Sequence, residues 1–121
     1  MVTEDYVNFE TAKLLKEKGF NISCRFAYTK KGNEFNTNVC CDVPVYAYKP
    51  TLQMAMKWLR EVHNIHIEIR YNRYSNKYHY KIIYGPTELD AYVSKPHVLR
   101  TYEEAAEESI KHCLEMLVKQ Q

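Results

Sequence analysis

The chain carries 5 histidines, 4 cysteines and 15 acids, the residue types from which catalytic and metal sites are built, yet their spacing argues against most such sites. His112 and Cys113 are adjacent, and consecutive side chains on a helix point in different directions, so the two cannot work as base and nucleophile. His63 and His66 straddle a helix end, and His66 and His79 could meet across a hairpin, but no third ligand accompanies them; they are expected to be surface histidines on a polar strand face, and no metal site is expected. Gly19, Gly32 and Gly85 each fall at an expected turn, which leaves no glycine-rich loop to cradle a phosphate, and no cofactor is expected. No G-x-S-x-G elbow occurs either, and a non-enzymatic protein is expected.

What remains is binding. Arg70, Arg73, Tyr74, Lys77, His79 and Lys81 interleave basic and aromatic groups around an expected turn from Asn72 to Lys77. Such a surface can meet phosphates by charge and stack a base or a peptide on Tyr74. The competing reading makes the hairpin's tyrosines part of the core, because Tyr71, Tyr78, Tyr80 and Tyr84 alternate in phase with the isoleucines. Tyr74, in the turn, is outside that argument.

The elements that must position these residues begin at Thr51, whose hydroxyl suits the cap of a helix. Leu52, Ala55, Met56, Leu59 and Val62 form its apolar face, and Met54 and Trp58 widen that face enough to meet a second helix or a partner as well as a sheet. The period then changes. Ile67, Ile69 and Tyr71 point one way and His66, Glu68 and Arg70 the other, and the strand pairs with Tyr78 to Tyr84 as a hairpin over residues 66–84.

Ahead of this block, Asn8 caps an expected helix from Phe9 to Lys18 that stops at Gly19. Ile22 to Tyr28 reads as a strand, Lys30 to Asn33 as a turn, Asn36 to Val43 as a second strand and Val45 to Tyr48 as a further extended piece, Pro44 breaking the ladder. After the hairpin, Leu89 to Val93 reads as an edge strand and Ser94 to Arg100 as a loop. Thr101 and Glu104 form a capping box for a closing helix over residues 101–119. Residues 8–43 and 51–84 thus repeat helix, strand, strand. The expected fold is a single α+β domain over residues 1–121 with two layers in the order αββαββα, three helices lying on one face of an antiparallel sheet.

Composition narrows the class further. With 17 basic and 15 acidic residues the net charge is only +2, too balanced for a protein that coats nucleic acid by charge alone. The distribution is uneven: residues 51–100 hold eight Lys and Arg against four acids, while residues 102–121 hold five Glu and two Lys. Cys24, Cys40, Cys41 and Cys113 form no CxxC pair and read as reduced thiols of a cytoplasmic protein. No signal-like or membrane-spanning apolar run is present, so no membrane association is expected.

From Thr51 onward the element order resembles the αβββα of double-stranded-RNA-binding domains. Those domains carry lysines at the start of the last helix, where this chain has TYEEAAEE, so the resemblance extends to element order alone. Pro50 to Ile67 (PTLQMAMKWLREVHNIHI) and Tyr102 to Leu117 (YEEAAEESIKHCLEML) resemble small proteins of unknown function in phages, prophages and mobile elements of gut bacteria. That likeness implies an accessory protein of the cytosol. The expected function is a binding or assembly module, engaging a protein partner or itself through Met54 and Trp58 or through an edge strand; the alternative is nucleic-acid binding by the basic, tyrosine-rich hairpin.

Overall fold

The computed structural model describes residues 3–39, 43–84, 92–93 and 99–119. In chain order these form α1 (Phe9–Glu17), β1 (Phe26–Tyr28), β2 (Glu34–Asn36), β3 (Ala47–Lys49), α2 (Leu52–His63), β4 (Ile65–Asn72), β5 (Lys77–Tyr84), β6 (Tyr92–Val93) and α3 (Tyr102–Lys119). The α+β class and the alternation of helices with antiparallel strands match the sequence reading. One sheet becomes two, however: β2-β1-β3 and β4-β5-β6. Pro50, which has no N–H to give a ladder, follows β3 directly, and Thr51 then caps α2. The chain therefore turns into a helix before it can carry β3 toward β4.

The helix starts follow from local chemistry. Asn8 Oδ1 accepts from Thr11 N at 2.9 Å, Thr51 Oγ1 from Met54 N at 3.1 Å, and Thr101 Oγ1 from Glu104 N at 3.0 Å. Each side chain satisfies an N–H that the helix cannot. Glu104 completes a box by accepting from Arg100 N at 3.1 Å. The first helix ends at Gly19 (φ 97°) and α2 at Asn64 (φ 54°), both left-handed.

Strand lengths depart from expectation in the first half. Ile22 to Tyr28 contributes only its last three residues, as β1, and β2 pairs at Glu34–Asn36, earlier than the expected Asn36 to Val43. The expected extended piece becomes β3. The Leu89 end of the expected edge strand and most of the loop after it lie outside the described residues; the strand's end is β6.

One core holds the fold together. Leu15 of α1, Tyr28 of β1, Ala47 of β3, Leu59 of α2, Ile65 of β4, Ile82 of β5 and Ile110 of α3 all belong to it. The last helix is its hub, packing against α1, α2, β4 and β5. Its acidic start also anchors the chain's beginning: Glu107 Oε1 accepts from Asn8 N at 2.9 Å and from Thr11 Oγ1 at 2.7 Å.

Candidate interaction surface

The hairpin formed by β4 and β5 has the register that alternation predicts. Ile67 stands opposite Ile82, Ile69 opposite Tyr80 and Tyr71 opposite Tyr78, while Glu68 stands opposite Lys81 and Arg70 opposite His79. Tyr80 and Ile82 are buried, and Tyr78 and Tyr84 are half-buried, so most of the tyrosine row completes the core. Glu68 and Arg70 are exposed on the other face and pair with each other at 3.0 Å. The same register removes the two-histidine arrangement. His79 faces Arg70 and His66 faces Ile83, which leaves the two histidines four residues apart along the ladder, about 13 Å at strand rise.

Other reactive groups are sealed or occupied. Cys113 is fully buried, and burial pushes its thiol up to about 12, which keeps it protonated and inert. Burial likewise raises the thiol of half-buried Cys24. Cys40 and Cys41 lie outside the described residues. Among the described residues no group of three His, Cys, Asp or Glu is placed to hold a metal. A cleft of ≈ 580 Å³ beside the start of α3 is lined by Asp5, Glu103, Glu104, Glu107, Glu108 and Lys111. Two of its carboxylates, those of Glu104 and Glu107, already accept backbone N–H groups and serve as structural ties.

The wide face of α2 does not stay open. Trp58, expected at an interface, is only 6% exposed; its ring meets Phe20 edge-on at 5.4 Å and His63 at 4.8 Å. The segment after α1 covers it, a long-range contact that helical periodicity cannot foresee. Met54 remains exposed, and Val62, expected to face inward, is 59% exposed.

Two features of the hairpin remain available. The first is its tip, a short loop held by Asn72, whose Oδ1 accepts from Tyr74 N at 2.9 Å and whose carbonyl accepts from Asn76 N at 2.9 Å. Asn76 adopts a left-handed conformation (φ 57°), and its Oδ1 accepts from Tyr71 Oη at 2.6 Å. This fixed loop presents Tyr74 at 86% exposure, with the Arg73 guanidinium 5.4 Å from its ring centre. Lys77, His79 and Lys81 of β5 are only partly exposed, and His79 Nδ1 is buried.

The second feature is the free side of β4. It is the outer strand of its sheet, eight residues long and paired without interruption, and among the described residues no other strand lies against it. The sequence contains the strand, but only the pairing order makes it an edge. Its apolar side is incompletely covered: Ile67 and Ile69 are half-buried, whereas their cross-strand partners Ile82 and Tyr80 are 0% and 3% exposed.

No helix among the described residues is long and apolar enough to cross a membrane. Comparison with protein-family models, with curated proteins and with solved structures finds no match for this chain.

Proposed function

We propose that this protein is a non-enzymatic binding or assembly module that recruits an extended protein segment to the free edge of β4. The carrying observation is that edge: eight regular residues whose outward backbone groups meet no strand among the described residues, beside a half-covered apolar row. An added strand would satisfy those groups and cover Ile67 and Ile69 together. The module is taken to be cytosolic, in keeping with the free thiols of Cys24 and Cys113, and its resemblance to phage and mobile-element proteins makes it an accessory factor.

Hydrogen exchange on the assembled protein tests this reading. Outward-facing amides within Ile65–Asn72 should become slow when a partner binds; unchanged exchange there, in a complex that demonstrably forms, removes it.

A second reading is supported by the tip, where Tyr74 is exposed beside Arg73 on a fixed loop. Such a platform suits a nucleic-acid strand, stacking on the ring and neutralising phosphate. Binding would then weaken steeply with salt, and Tyr74→Ala and Arg73→Ala would each reduce it. The ion pair with Glu68 neutralises Arg70, one of the cations behind the tip, which ranks this reading second.

A further inference from the structure

We infer that the occupant of the β4 edge is the same edge of a second copy of this chain, antiparallel about a two-fold axis at Ile69. The inference rests on the reading of β4 as the working edge and names what fills it.

The register follows from the residues. A two-fold at Ile69 sets Glu68 of each copy opposite Arg70 of the other, Ile67 opposite Tyr71 and His66 opposite Asn72. Opposite charges thus meet twice, and the central apolar residues Ile67, Ile69 and Tyr71 of one copy lie against Tyr71, Ile69 and Ile67 of the other. Moving the axis by one residue in either direction sets Glu68 against Glu68 or Arg70 against Arg70. An axis between two residues would put the apolar face of one copy on the polar face of the other. Moving it two residues toward the start of the strand leaves Arg70 beyond the end of the other copy's β4. The edge is complementary to itself in one long register.

The strand contains no proline and no bulge, two of the devices that keep edges apart, and its exposed charges, Glu68 and Arg70, are of opposite sign. Its two central charges, paired within one copy at 3.0 Å, would form an alternating row of four across the join. The half-covered Ile67 and Ile69 would gain the same residues of the other copy as neighbours. The product is one continuous sheet with three strands from each copy.

The test uses the full chain and two charge variants at exposed positions, E68R and R70E. Sedimentation of the unaltered chain should show a mass rising from 14.4 kDa toward twice that value with concentration. Each variant alone places like charges opposite one another and should lose at least about tenfold in self-affinity. Mixed, E68R and R70E should pair, because both central cations of one copy then face the two central carboxylates of the other. Circular dichroism of each variant should match that of the unaltered chain, which separates lost pairing from lost folding. A chain that stays at 14.4 kDa at all concentrations, or variants that do not pair on mixing, overturns the inference. If the chain stays monomeric while another protein slows exchange in β4, only the identity of the occupant is wrong. If a dimer forms and tolerates both variants with β4 unprotected, the edge reading falls as well. A mass gain seen only with added nucleic acid, and abolished by salt, also overturns it.

Discussion

The two sheets differ in how they end. In β2-β1-β3 every strand has three residues, and Tyr6 bridges to Thr51, while Val7 N donates to Pro50 O at 3.1 Å and Leu52 N to Asp5 O at 2.9 Å, so the chain's first described residues cover the continuation of β3. In β4-β5-β6 one outer strand, β4, has eight residues and no covering strand among the described residues. Short or covered edges offer little to a passing strand; a long bare one offers a template. Both sheets feed the common core, through Tyr28 and Ala47 in the first and Ile65, Tyr80 and Ile82 in the second, and the contrast between them lies in the long outer strand of the second.

The largest test of the contrast lies within the second sheet. Ile82→Ala, on the fully buried inner strand, should destabilise by about 2–5 kcal/mol in denaturant unfolding, since it leaves a cavity. Ile67→Ala, directly opposite, should cost less than half as much in the monomer, because its neighbours on the open side are missing. Equal costs would mean that the edge is covered after all.

A smaller effect probes the first sheet. The buried Tyr28 hydroxyl donates to Val7 O at 2.9 Å, tying β1 to the segment that guards β3. Tyr28→Phe should cost about 1–2 kcal/mol by leaving that carbonyl unpaired. It should leave self-association through β4 unchanged when the folded protein is assayed by sedimentation. A parallel loss of association would merge the two regions into one.

The smallest effect lies where the halves meet, at His63 beside Trp58. Burial, aided by the nearby Lys18 charge, holds His63 below its ordinary 6.5. The unfolded chain therefore takes up a proton near pH 6.5 before the folded chain does, so stability from this group is complete above that pH and declines as pH falls toward the lowered folded value. His63→Gln should flatten the decline just below pH 6.5 in thermal melts; an unaltered slope would assign it to other groups.

Much of this arrangement is legible in the chain. Strict alternation from His66 to Tyr71 and from Tyr78 to Tyr84 specifies the hairpin register, because a slip of one residue would bury Glu68 and Lys81. Asn8, Thr51 and Thr101 announce three helix starts through cap chemistry that acts within four residues. Trp58 defeats the sequence reading for the opposite reason: its partner Phe20 is remote in sequence, and no periodicity within α2 encodes it. His66 and His79 lie on the two strands of one hairpin, but the register sets each against another residue.

Local rules, which depend on neighbours a few residues away, determined the helices, the hairpin and the division of its faces into apolar and charged. Tertiary structure alone decided that the strands split into two sheets, that Trp58 is closed in and that β4 is left outermost. Those outcomes depend on which distant segments compete for the same backbone groups and the same apolar surface, and a pattern read along one stretch of chain carries no term for that competition.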